Sequence, residues 1–130
     1  MDVLSEDNKI NFVFVEFPIL SKHSYIAAKA ALASKKQELY NDFHLSLMNT
    51  KGRINEEKIF SIAKKIGLDV NQLTIDMSDL KIEKQLMQNR DIAKLLGLNG
   101  TPAFIIGDTI YAGALDINNL KKMIKQFRER

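Results

Sequence analysis

A long helical block, from Ser24 to about Leu96, stands between one strand-like segment and one hairpin signal. That order constrains the chain more than any other feature. A sheet made from the flanking segments must accommodate an insertion of helices between its strands, which places the chain in the α/β class.

The segment before the block is Asn11-Phe12-Val13-Phe14-Val15-Glu16-Phe17. Aromatic and β-branched residues fall on both alternating faces, the pattern of a strand buried within a parallel sheet and covered above and below. Pro18 ends it, because proline cannot donate to a ladder. After the block, Ala103-Phe104-Ile105-Ile106 and Thr109-Ile110-Tyr111-Ala112 flank Gly107-Asp108. Two such runs joined by a glycine-containing pair predict a hairpin, since glycine supplies the positive φ of tight primed turns. Leu120, Ile124 and Phe127 then mark the inward face of a last helix, Ile117 to about Arg128, with Asp116 as its cap.

Inside the block the helices can be separated by their punctuation. Ser24 is placed as the cap of a helix rich in Ala27, Ala28, Ala30, Ala31 and Leu32. Leu39, Tyr40, Phe43, Leu47 and Met48 belong to a second, ended before Gly52. Asn55, Glu56 and Glu57 open a third, with a cap and first-turn carboxylates that the helix dipole favours. Its stripe is Ile59, Ile62, Ala63 and Ile66, and Gly67 is the expected C′ residue. A short helix carries Leu73 and Met77. A longer one carries Ile82, Leu86, Ala93 and Leu96 and stops at Gly97.

Composition narrows the function. The chain has no cysteine, which removes structural disulfides, thiolate metal sites and cysteine nucleophiles together. A net charge of +3 invites a nucleic-acid reading. The positions argue against it: Lys35 with Lys36, Lys64 with Lys65, and Lys121 with Lys122 are dispersed and interrupted by Glu38, Glu56, Glu57 and Asp69. No membrane span is expected, since the longest apolar run is Phe12 to Val15 and a bilayer needs roughly 20 apolar residues. The acidic start Met1-Asp2-Val3-Leu4-Ser5-Glu6-Asp7 lacks the basic and apolar regions of a signal peptide, so the chain as written is expected in the cytoplasm.

Metal and cofactor signals are equally sparse. His23 and His44 have no carboxylate at metal-site spacing, and the glycines form no phosphate-binding loop. No metal and no cofactor are expected. His44 reads as a packed or surface histidine, and Met48, Met77 and Met87 as core or gap-filling residues. Glu16 reads as an exposed carboxylate near a strand end, or else as an ionisable group beneath an active site.

One local motif has a sharper reading. Asn99-Gly100-Thr101-Pro102-Ala103-Phe104 taken alone says only that Pro102 opens a strand. Together with Val15-Glu16-Phe17-Pro18-Ile19-Leu20, the alanine-rich helix, Phe43-His44-x-x-Leu47-Met48 and Ala93-x-x-Leu96-Gly97-Leu98-Asn99-Gly100-Thr101-Pro102-Ala103-Phe104-Ile105-Ile106-Gly107, the chain resembles the DsbA-like thiol-disulfide oxidoreductases. The likeness runs along nearly all of the sequence. It implies a thioredoxin-like fold in which residues 1–23 and 98–130 belong to the thioredoxin half and residues 24–97 to a helical insertion. It also implies that Thr101 and Pro102 form the threonine–cis-proline loop, which offers backbone groups to an extended peptide or unfolded protein substrate.

The resemblance also marks a departure. The family's first strand, its Cys-x-x-Cys pair and most of its first helix are expected before Ile10, with Val3 to Asp7 as the tail of that helix. The expected fold is therefore an incomplete thioredoxin-like α/β fold. Thiol–disulfide exchange needs a thiolate, so the chain alone is expected to be redox-inactive. The missing strand belongs between Phe12–Phe17 and Ala103–Ile106. Its absence predicts marginal stability, self-association or completion by another, N-terminal segment. A longer native form would be exported or periplasmic; the alternatives are a cysteine-free peptide-binding module or a non-functional remnant.

Overall fold

The computed structural model describes residues 9–18, 22–98, 100 and 103–129. Among them the chain forms α1 (Lys22–Ala33), a 3-10 segment (Ser34–Gln37), α2 (Tyr40–Met48), α3 (Glu56–Lys65), α4 (Val70–Met77), α5 (Leu80–Leu95), β1 (Ala103–Ile106), β2 (Thr109–Ala112) and α6 (Ile117–Arg128). This is the thioredoxin-like order of a hairpin and a final helix following a helical insertion. The chain divides into two compact units: residues 16–92, and a second unit built from the described parts of residues 1–15 and 93–130.

The helix boundaries follow local chemistry. Asn55 accepts from the Lys58 amide at 2.8 Å and caps α3. Asp69 does the same for α4 from Gln72 at 3.1 Å, and Asp116 for α6 from Asn119 at 2.7 Å. Each oxygen satisfies a first-turn amide that has no intrahelical acceptor. At the other end of α3, Gly67 takes a φ of +100° while Leu68 N–H returns to Ala63 O at 3.0 Å. That is a Schellman-type stop. Ser24 departs from its expected role: it lies inside α1, because Lys22 and His23 tolerate helix and extend it by two residues.

The main core lies wholly in the helical unit. Alanines of α1 (Ala27, Ala28, Ala30, Ala31, Ala33) pack with Phe43, Leu47, Ile59, Ala63, Leu73, Ile82 and Leu86. Small residues on α1 let neighbouring helices approach closely, and Phe43, Ile59 and Leu73 fill the space between them. Met77 packs at the edge of this core, but Met48 and Met87 are exposed, contrary to the expectation of core roles.

The second unit is built differently. β1 and β2 pair antiparallel with Ile106 opposite Thr109 and Phe104 opposite Tyr111. Gly107 turns the hairpin at φ +61°, and the Phe127 ring of α6 lies where a Cβ on Gly107 would stand. Phe127 therefore docks on the turn while remaining partly exposed, rather than facing fully inward. Leu96 lies beyond the end of α5 and is exposed too.

The expected strand over residues 11–17 does not form. The sheet among the described residues has two strands, β1 and β2. Residues 11–16 keep a strand's alternation, with Val13 and Val15 exposed and Phe12 and Phe14 half-buried, their rings meeting edge-on at 4.9 Å. A strand is defined by its ladder, and no neighbouring strand is present among the described residues to supply one.

Candidate functional site

Within the helical unit, three polar side chains converge. Glu16 follows the Val13–Val15 segment, and Tyr40 and His44 are one turn apart on α2. Their spacing of four residues puts both on one face of that helix. Tyr40 donates its hydroxyl to Glu16 Oε1 at 2.7 Å, and His44 Nδ1 meets the same oxygen at 2.6 Å. A carboxylate oxygen can only accept, so His44 carries its proton on Nδ1 in this bond. The side chains of His44 and Glu16 are only 13% and 12% exposed. The backbone carbonyl of Glu16 accepts from Asn89 Nδ2 of α5 at 2.9 Å.

Glu16 is thus held by α2 and α5 together. The expectation of an exposed strand-end carboxylate is overturned; its side chain is largely shielded, and two donors compensate for the lost water. His44 is packed, as expected, and serves as a donor. Burial and the adjacent Glu16 carboxylate raise the Tyr40 pKa well above the usual phenol value. Tyr40 consequently stays protonated and able to donate. Lys35 Nζ lies 4.8 Å from the Tyr40 ring centroid, a cation–π contact on the outer side. A shallow, polar depression of about 390 Å³ opens there, lined by Lys35, Glu38, Tyr40, Asn41 and Asp42.

This arrangement anchors a chain segment. With two donors on one oxygen, the carboxylate is occupied in holding Glu16 in place. Among the described residues no group of three or more His, Asp or Glu side chains could hold a metal ion. No helix of the described residues is long and apolar enough to cross a membrane. Thr101 and Pro102, the predicted substrate loop, lie outside the described residues; β1 starts immediately after them at Ala103. The anchor could have been glimpsed in sequence as a lone carboxylate in an apolar run and a Tyr-x-x-x-His pair on a helix. Nothing in the sequence joined the two.

Helical insertion, hairpin and final helix follow the order of a thioredoxin-like fold. Comparison with known proteins narrows this. Residues 1–125 match the DSBA-like thioredoxin domain, and the chain belongs to that family. A thioredoxin-like oxidoreductase from Silicibacter pomeroyi superposes with a TM-score of 0.95 at 34% identity, over 99% of this chain and 75% of that one. The thiol-disulfide exchange protein alpha-DsbA2 from Wolbachia pipientis gives a TM-score of 0.88 at 36% identity, over 97% of this chain and 72% of that one. A probable disulfide bond formation protein D of Bacillus anthracis is 27% identical over 92% of this chain. The chain spans 58% of the length of that protein, and 19% of the Na(+)/H(+) antiporter NhaA 1 of Salinispora arenicola, which is 23% identical over 125 residues.

Proposed function

We propose that this chain is the scaffold and substrate-binding portion of a DsbA-like protein-disulfide oxidoreductase, forming or isomerising disulfides in exported proteins, and that it is not redox-active by itself. The observation that carries this reading is a family match over residues 1–125 in a sequence without a single cysteine. Exchange proceeds by attack of a thiolate on a disulfide sulfur, so the nucleophile must come from residues other than these. A complementing N-terminal segment, or failing that self-association, completes the sheet. Residues 1–23 and 98–130 supply the thioredoxin half and residues 24–97 the insertion. Thr101 and Pro102 present backbone groups to an extended peptide or unfolded protein. The working compartment is oxidising, outside the cytoplasm, where substrate disulfides persist.

The absence of cysteine also favours a second reading, a peptide-binding module that never performs redox chemistry. Both readings expect an extended, cysteine-free peptide to bind, and Pro102→Ala to weaken binding; unchanged affinity in that variant would remove the substrate role of the loop. The intact mass of the protein from its source cells separates them. A mass above 14.8 kDa with reactive thiols supports the oxidoreductase, whereas 14.8 kDa itself leaves the binding module.

A further inference from the structure

α5 is a single helix of 16 residues, about 24 Å long. Its inner face is Ile82, Leu86, Asn89 and Ala93, all buried. At about 100° per residue, the stripe directly opposite is Leu80, Lys84, Met87, Asp91 and Leu95. A surface helix ordinarily keeps polar and charged residues on that side. Here Leu80, Met87 and Leu95 are 77%, 61% and 86% exposed, so a large apolar side chain stands bare about every two turns.

The two charges in this stripe are opposite in sign and unused within the chain. Glu83, beside Lys84, pairs with Lys29 at 3.4 Å, whereas among the described residues neither Lys84 nor Asp91 has an ion-pair partner. They lie about 10 Å apart along the helix axis, too far to meet each other. A second α5, laid antiparallel across a two-fold axis between positions 87 and 88, changes this. Position 84 then faces position 91 of the other copy, and 91 faces 84. Position 80 faces 95, and the two Met87 side chains meet at the centre. Each charge finds its opposite and each apolar residue an apolar one. A parallel pair would instead set lysine against lysine and aspartate against aspartate. The stripe is therefore complementary to itself in one orientation, which is what a two-fold contact requires. Asp91 within the stripe disfavours an anionic lipid surface, which suits helices whose charges are lysine and arginine.

We propose that the outward face of α5 is a homodimer interface, on which two copies of this chain pair antiparallel through Leu80, Met87 and Leu95, with Lys84 and Asp91 bridging between the copies. The contact uses no strand of the hairpin and is independent of the oxidoreductase reading. Three large apolar side chains per copy make a small interface, so the dimer is transient, with micromolar affinity or weaker.

Sedimentation of the full chain at rising concentration is expected to show a monomer–dimer equilibrium. The methyl resonance of Met87 should shift with concentration, while that of Met48, similarly exposed on α2, stays fixed. Met87→Lys sets two like charges on the axis and should weaken the dimer about tenfold or more. Lys84→Glu and Asp91→Lys should each weaken it severalfold. Combining those two in one chain exchanges the charges and should restore the native affinity. Lys64→Ala on α3 should change nothing. All of these positions are exposed, so each variant is expected to fold. Sedimentation independent of concentration overturns the proposal, and so does a dimer that Met87→Lys leaves intact. Single reversals without effect, or a double variant that does not recover, overturn it as well. So does a monomer that binds anionic phospholipid vesicles and loses them on Met87→Lys, since lipid would then be the occupant. No thiol and no peptide enters these readouts, so their failure is distinct from failure of the Pro102→Ala test.

Discussion

The helical unit and the hairpin unit solve the problem of burial in opposite ways. Every residue of the main core cluster, from Ala27 to Leu86, belongs to the helical unit. In the hairpin unit the buried apolar residues among those described are Ala93 and Leu120. Helices satisfy their backbone groups internally, so a helical insertion can be complete on its own. A strand borrows its backbone partners from neighbours, so a sheet with few strands is left with open edges and bare faces. The difference teaches that, among the described residues, the insertion holds the buried apolar core, while the hairpin unit leaves large apolar side chains exposed.

The contrast can be broken most directly by cavity mutations. Phe43→Ala in the helical core is expected to cost about 3–5 kcal/mol, close to unfolding the chain. Ile105→Ala on the hairpin should fall within about 0.5 kcal/mol in the same denaturant titration. Comparable losses at the two sites would mean that the hairpin face is covered in solution. The next largest effect is expected at the anchor. Glu16→Ala removes the acceptor shared by the Tyr40 hydroxyl and His44 Nδ1, at about 2–3 kcal/mol. Retention of full stability would show that water replaces the carboxylate.

Gly107→Ala should cost about 1–2 kcal/mol, from a left-handed φ and from overlap with the Phe127 ring. The loss should appear as faster amide exchange in β1 and β2 with α1 to α4 unaffected. If the helical unit responds as well, the two regions are less independent than their cores suggest.

The smallest effect concerns pH. The Tyr40 pKa is raised in the folded chain, by burial first and by the Glu16 charge second. A raised acid pKa means that the neutral phenol is favoured on folding. Its stabilisation is complete below the ordinary tyrosine value of about 10 and is lost as pH climbs above it. Thermal melts of the native chain should therefore fall more steeply above that pH than those of Tyr40→Phe. Parallel curves would remove Tyr40 from the anchor.

Much of the fold was legible in the sequence because its signals were short-range. Asn55 and Asp116 cap helices through an amide three residues on, and Gly67 and Gly107 supply positive φ where the chain turns. The family motif around Phe43-His44 and the hairpin was readable for the same reason. The strand over residues 11–17 was not, since its side chains state a preference that only a neighbouring strand can realise. Nor was the Glu16 anchor. Its members are 24 and 28 residues apart, and their meeting depends on how α2 packs beside the chain at Glu16.

The sequence by itself determined the starts of α3 and α6, the hairpin turn, the DsbA-like family and the impossibility of thiol chemistry on these residues alone. Each depends on residue identity or on bonds spanning a few positions. The tertiary structure decided that Glu16 is largely shielded and doubly held, that Val13 and Val15 face outward, and that Ile105 and Ile110 form an exposed pair. Those outcomes depend on which surfaces find partners, and burial is a property of the packed whole.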